Sequence, residues 1–160
     1  MPNVELCPVQ LPGRESRVRE PALTRMTLLV EALIVAMRPY LSTPFAFYGH
    51  SMGALISFEL ARRLVRDGQQ GPRHLFIAAR RVPQLRDGRP LLHTQPEPAF
   101  VEQVSKRYGA LPKLIIDDPE LMRLFMPTLR ADLAVCETYE YRDDKPLDCP
   151  ISALDRKSVV

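Results

Sequence analysis

The pentapeptide Gly49-His50-Ser51-Met52-Gly53 constrains this chain more than any other stretch of it. A strand-forming apolar run, Phe45–Tyr48, leads directly into it, and an amphipathic helical run, Ala54–Asp67, leads directly out. The pattern G-x-S-x-G alone is a weak signal, because glycine and serine are common. Between a strand and a helix it is the setting that a nucleophile elbow requires. The turn must be tight enough to strain the serine backbone, and Gly49 and Gly53 are expected to avoid Cβ clashes with the neighbouring strand and helix. Ser51 Oγ then projects above the sheet edge as a nucleophile. The Met52 N–H, at the helix N-terminus, faces a developing oxyanion.

The surrounding pattern is strand, helix, strand, helix, strand. Val4–Leu11 is predicted as a strand, with Pro8 suited to an edge, and Pro12-Gly13-Arg14-Glu15 ends it. Apolar residues at helical spacing predict a helix over Met26–Arg38, with Thr24 as N-cap and Pro39 as terminator. Gly68 stands where a left-handed cap closes the helix over Ala54–Asp67. A further strand covers His74–Ala79, and this alternation predicts a mostly parallel sheet of the α/β class. Pro83–Pro98 is a proline-rich connection. Three helical stretches follow, near Ala99–Tyr108, Pro119–Phe125 and Pro127–Tyr139, and they read as a cap over the carboxyl edge of the sheet, where open α/β sheets keep their ligands. Ile151–Leu154 returns as a strand.

Composition narrows the function classes. The 160 residues suffice for one domain, and 46% hydrophobic with 26% charged residues is an ordinary globular balance. No apolar run approaches a membrane span, and Met1–Gln10 lacks the features of a signal peptide. The net charge of +3 is too small and scattered to indicate nucleic acid, and the basic side is 18 Arg against 4 Lys. Cys7, Cys136 and Cys149 are widely spaced, no metal-binding pattern is visible, and reduced thiols in a cytoplasmic protein are the simple reading. His50 is adjacent to Ser51 and poorly placed to reach its Oγ. His74 precedes its strand, and His93 lies in the proline-rich connection. None follows a late acid, the order that elbow hydrolases use.

Several local matches together are more specific than the elbow. They are Gln10-Leu11-Pro12-Gly13-Arg14-Glu15 with Arg17 and Glu20-Pro21, Pro44–Ala54 around the elbow, Glu59-Leu60-Ala61-Arg62, Leu129-Arg130-Ala131-Asp132, Glu137-Thr138-Tyr139, and Pro146–Ile151. From about Val9 to Ala153 the chain resembles the type II thioesterases of polyketide and nonribosomal peptide synthesis, members of the α/β-hydrolase thioesterase family. The resemblance implies a partial α/β-hydrolase fold over 1–154 with a helical cap at about 97–139. It implies hydrolysis of acyl groups from the phosphopantetheine arm of an acyl or peptidyl carrier protein, with no other cofactor and no metal. Ser51 becomes the nucleophile that forms the acyl-enzyme, and the Met52 N–H one oxyanion donor. Leu121, Leu124, Phe125, Met126 and Leu133 either line the acyl tunnel or pack the cap on the core.

The resemblance also implies parts that lie before Val4 and after Leu154 in the family: a strand with a Gly-rich oxyanion loop, the triad Asp and the triad His. On this reading the 160-residue chain is incomplete and inactive. Asp155, the first acid after the last strand, sits in a segment, 155–160, that matches one reading frame of a sequencing adapter and is read as a non-native tail. Two other classes fit a G-H-S-x-G serine or its surroundings: a carrier-protein acyltransferase, and a non-catalytic carrier-protein binding module.

Overall fold

The computed structural model describes residues 4–85, 88–109 and 111–154. Asp155 and the tail at 155–160 lie outside the described residues.

Two helices organise the core by hiding one stripe each. Helix α1 (Met26–Met37) buries Met26, Leu29, Val30, Leu33 and Ile34, the i, i+3, i+4, i+7, i+8 positions of one face. Its N-cap is Arg25 rather than Thr24, and no side chain caps it. Thr24 stands one residue outside the position from which an oxygen reaches the N2 or N3 N–H. Arg38–Tyr40 adds one 3-10 turn, because Pro39 has no N–H with which to continue the α-helix.

Strand β1 (Phe47–His50) lies two residues later than the apolar run predicts, and helix α2 (Met52–Arg66) begins two residues earlier, so the two meet at Ser51. Helix α2 buries Leu55, Leu60, Ala61 and Leu64. It ends at Gly68, φ +68°, where the Gly68 N–H bonds Val65 O at 3.0 Å and the Gln69 N–H bonds Leu64 O at 2.9 Å. That pair of bonds is a Schellman cap, and glycine meets its left-handed requirement without strain.

Strand β2 (Leu75–Ala78) follows α2 and pairs parallel with β1, Phe47 opposite Leu75 and His50 opposite Ala78. Strand β3 (Ile151–Leu154) pairs parallel with β2 on its other side, giving the order β1-β2-β3. Phe47 and Leu75 turn into the same buried cluster as α1 and α2, which also takes Val135 from a later helix.

Val4–Leu11 is not a strand. Val4, Leu6 and Val9 are exposed and the segment joins no ladder among the described residues. A strand exists through its hydrogen-bonded partner, which an apolar run does not supply, and Pro8 removes one donor.

The connection from β2 to β3 carries three helices, α3 (Glu97–Tyr108), α4 (Lys113–Ile116) and α5 (Pro119–Glu137). The two stretches expected over Pro119–Phe125 and Pro127–Tyr139 are one continuous helix, with Pro127 inside it. Proline removes a helical hydrogen bond, at about 3 kcal/mol in a helix interior. Here Pro127 lies on the exposed side, while the next face is held by packing: Met126 and Leu133 join Leu92, Phe100 and Val104 in a second buried cluster. At its start the Asp118 carboxylate accepts from the N–H of Glu120 (2.8 Å) and Leu121 (3.2 Å), with Pro119 in the first turn.

Candidate active site

Ser51 joins β1 to α2 at φ 54°, ψ −112°, a backbone that a residue with a Cβ rarely adopts. Its N–H donates to Ala78 O at 2.9 Å on the adjacent strand, and its carbonyl accepts from the Ala54 N–H at 3.2 Å. The strain is therefore held from both sides, by the sheet and by the first turn of the helix. The half-exposed serine faces a cleft, and Met52 opens a 15-residue helix whose dipole favours negative charge at that end.

The two elbow glycines differ. A Cβ at Gly49 would stand 2.2 Å from Gly53 O and 2.5 Å from Ala54 N, so only glycine lets β1 pass α2 this closely. A Cβ at Gly53 meets nothing within 4 Å among the described residues, contrary to the expectation that both positions exclude a side chain.

The cleft holds about 430 Å³. Ser51 and Ala79 supply its sheet side, Arg107 and Tyr108 its wall from α3, and Glu137 to Tyr141 its wall from the end of α5. A second concavity of about 510 Å³, lined by Gln69, Gly71, Arg73 and Asp148 among others, lies at the amino ends of β2 and β3 and holds no part of the elbow.

The predicted acyl-contact residues do not line the Ser51 cleft. Met126 and Leu133 are buried in the cap cluster, with Leu129 and Met122 against it. Leu124 and Phe125 are about half exposed on the outside of α5, and Leu121 is partly buried in its first turn. Helix α5 turns one side to the cap interior and the other to solvent, and only its carboxyl end reaches the cleft. Of the segments that do build the cleft, Pro83–Leu85 lies in the proline-rich connection and Glu137–Tyr139 in a family-like motif, while no motif marks Arg80–Val82, Glu140 or Tyr141.

None of the three histidines is hydrogen-bonded to Ser51 among the described residues. His50 is exposed at the end of β1. His74 Nε2 lies 2.9 Å from Ser152 Oγ, and its ring stacks on Phe76 at 4.2 Å. His93 Nδ1 lies 2.7 Å from Glu137 Oε2. Glu137 also accepts from the N–H groups of Leu92 (2.9 Å) and His93 (3.0 Å), with Arg107 Nη1 3.6 Å away. Its side chain is 10% exposed, so this carboxylate is a structural anchor in the cleft wall.

Beyond Glu137 the same wall is anchored to α2 through Tyr139 and Tyr141. Arg62, 5% exposed at its side chain, donates to Glu59 Oε1 at 2.7 Å and to Arg142 O, and stacks between Phe58 and Tyr141. Tyr139 OH donates to the same Glu59 oxygen at 2.6 Å. Burial, then the bond to Glu59, pushes the Tyr139 phenol far above its ordinary pKa, so it is a proton donor throughout the physiological range. Burial likewise pushes the Cys136 thiol up, against the pull of the nearby Arg80 guanidinium.

Among the described residues no group of three His, Cys, Asp or Glu side chains is placed to hold a metal ion, and no helix is long and apolar enough to cross a membrane.

A parallel sheet, a crossing helix and a strained serine between them define the α/β-hydrolase class. The Thioesterase domain family matches residues 1–157. The chain is 41% identical over 156 residues to the gramicidin S biosynthesis protein GrsT of Aneurinibacillus migulanus, an alignment covering 98% of this chain and 60% of GrsT. RedJ, the thioesterase of the prodiginine biosynthetic pathway in Streptomyces coelicolor, superposes with a TM-score of 0.80 at 40% identity over 91% of this chain and 57% of RedJ. ClbQ of the colibactin nonribosomal peptide and polyketide pathway superposes at 0.85 and 30% identity over 96% and 64% of the two chains. The chain therefore belongs to the thioesterase domain family, and its similarity is to thioesterases of nonribosomal peptide and polyketide pathways, as its motifs anticipate. It spans about three-fifths of the length of the curated relative GrsT.

Proposed function

We propose that this chain is the nucleophile-bearing part of a type II thioesterase, releasing acyl groups from the phosphopantetheine arm of an acyl or peptidyl carrier protein. Residues 97–139 are its cap. The observation that carries the reading is the backbone of Ser51, strained at φ 54° between β1 and the N-terminus of α2 and facing the cleft. Ser51 Oγ attacks the thioester carbonyl. The C–S bond breaks, the pantetheine thiol leaves with the serine proton, and water then hydrolyses the Ser51 ester to free acid. The Met52 N–H at the head of α2 stabilises the oxyanion in both steps.

The 160 residues alone are proposed to be essentially inactive, since a serine without an aligned base keeps only about 10³–10⁴-fold catalysis over water from oxyanion binding and positioning. Thiol release from an acyl-carrier thioester tests both statements. The chain by itself should match its Ser51→Ala variant. The chain extended with the residues that flank the matched region in GrsT on both sides should turn over and lose turnover with Ser51→Ala. Ser51-dependent turnover by the short chain overturns the inactivity. No Ser51-dependence in the extended, folded chain overturns the thioesterase reading.

A further inference from the structure

A carboxylate in the last turn of a helix stands at the negative end of the dipole, and a buried one loses its hydration as well. Glu137 does both. It is the last residue of the 19-residue α5, and its side chain is 10% exposed. A local rule broken in this way marks a residue that the rest of the site needs.

Glu137 joins the two ends of one insertion. The connection leaves the sheet after Ala78, and its last helix ends at Glu137 itself. In the outgoing arm, before α3, the N–H groups of Leu92 (2.9 Å) and His93 (3.0 Å) donate to the Glu137 carboxylate, and His93 Nδ1 lies 2.7 Å from it. Arg107 Nη1, near the end of α3, is 3.6 Å away. Seven residues back on the same face of α5, about 10 Å along its axis, Arg130 takes the carbonyls of the same arm. Its Nη1 donates to His93 O at 3.0 Å and to Gln95 O at 2.7 Å, and its guanidinium lies 4.2 Å over the Phe100 ring. The Gln95 N–H bonds Leu92 O at 2.9 Å. Residues 92–95 are thus a turn held by an acid at its N–H groups and by a base at its carbonyls, both from α5, through bonds that charge makes strong.

This turn borders the cleft. Leu91, just before it, lines the Ser51 cleft together with Arg107 and Glu137. Leu92, 1% exposed, points the other way into the buried cluster with Phe100 and Val104. A shift of the turn therefore moves one side of the cleft.

We propose that Glu137 is a positioning residue for the Ser51 cleft: by closing the base of the β2–β3 insertion it sets where Leu91 and Arg107 stand, and so fixes the width of the cleft that the acyl chain meets. This rests on the thioester-hydrolase reading of that cleft. While Glu137 is in place, the insertion does not swing open about its two ends.

The chain carries its own reporters. Cys136 lines the cleft beside Glu137, and Cys149 lines the separate concavity at the amino ends of β2 and β3. Alkylation by N-ethylmaleimide at one fixed pH is followed thiol by thiol by mass spectrometry in the wild type, Glu137→Ala and Glu137→Gln. Both variants remove the same negative charge beside the Cys136 thiol, so its thiolate fraction changes alike in both. Only glutamine keeps an oxygen that accepts the Leu92 and His93 N–H groups. Cys136 is expected to react about ten-fold or more faster in Glu137→Ala than in Glu137→Gln, while Cys149 differs by less than about two-fold. If Glu137→Ala does not fold, Arg130→Met replaces it, keeping the stem on Phe100 and removing the donors to His93 O and Gln95 O. Cys136 should then react about three-fold or more faster than in the wild type. Equal Cys136 rates in the alanine and glutamine variants overturn the proposal, since only the field at the thiol has changed. A parallel rise at Cys149 overturns it too, as general loosening, and so does a wild-type Cys136 rate in Arg130→Met where that variant is used. Alkylation needs no thioester, so failure of the hydrolase reading leaves this result standing, and the reverse holds as well.

Discussion

Arg14 Nη2 donates to Asp132 Oδ1 at 2.7 Å across 118 positions of sequence, and the bond ties the turn after the amino-terminal extended segment to helix α5. Thr128 Oγ1 reinforces it one turn earlier by donating to Gly13 O at 2.6 Å. The two family-like motifs that contain Arg14 and Asp132 are thus one contact. It is not a fully compensated contact. Burial pushes the Asp132 carboxyl above its ordinary range more than Arg14 pulls it down, and Arg14 Nε is buried with no hydrogen-bond partner among the described residues.

That imbalance sets the sign of a pH effect. A carboxyl whose folded pKa lies above its unfolded value holds its proton more tightly in the native state. The stability it contributes is present in acid and is lost as pH rises through the folded pKa. Asp132→Asn does not titrate. The thermal midpoint of the variant minus that of the wild type is therefore expected to become more positive from about pH 4 upward. Melts followed by circular dichroism across that range check it. A difference moving the other way would show that Arg14 outweighs burial.

The elbow glycines should separate on substitution. Gly49→Ala places a carbon 2.2 Å from the Gly53 carbonyl oxygen, backbone against backbone, and is expected to destabilise by more than about 4 kcal/mol or prevent folding. Gly53→Ala meets nothing within 4 Å and replaces glycine inside a helix, where alanine is better by about 1 kcal/mol. Denaturant titration of the two variants should give opposite shifts in midpoint.

How much of this was legible in sequence depended on whether the signal is local. The buried stripe of α1, the Gly68 cap and the strand–serine–helix junction are each written within a few turns of chain, and the structure contains all three. Val4–Leu11 has strand composition without a ladder, because pairing is a property of two segments. The sequence divides α5 into Pro119–Phe125 and Pro127–Tyr139; proline's cost to a helix is local, while the packing of Met126 and Leu133 that outweighs it comes from α3 and the 90s loop. The cleft was the least legible part. Arg80, Arg107 and Glu137 come from three separate elements, and no spacing rule links them.

The position of the α5 side chains has a measurable consequence. Leu124 is 46% exposed, whereas Met126 is 6% exposed in the cap cluster. Leu124→Ala is expected to change stability by no more than about 0.5 kcal/mol, and Met126→Ala to cost about 2–5 kcal/mol. Urea unfolding midpoints distinguish them. Equal, large losses would place Leu124 in a buried site after all.

The Arg62 hub should be the most sensitive charged position in the chain. Glu59, 14% exposed at its side chain, depends on Arg62 and Tyr139 for its hydrogen bonds, and Arg62 also holds the 141–144 segment through Arg142 O and, at 3.7 Å, Asp144. Arg62→Ala strands a buried carboxylate and empties the space between Phe58 and Tyr141, and is expected to destabilise by about 3–5 kcal/mol. Tyr139→Phe removes one donor and leaves the ion pair, and is expected to cost about 1 kcal/mol. In Arg62→Ala combined with Glu59→Leu, part of the loss should return, because the stranded charge is gone. A double variant no more stable than Arg62→Ala alone would mean that Arg62 acts through packing on the two rings, and that the charge on Glu59 contributes little to holding the cleft wall.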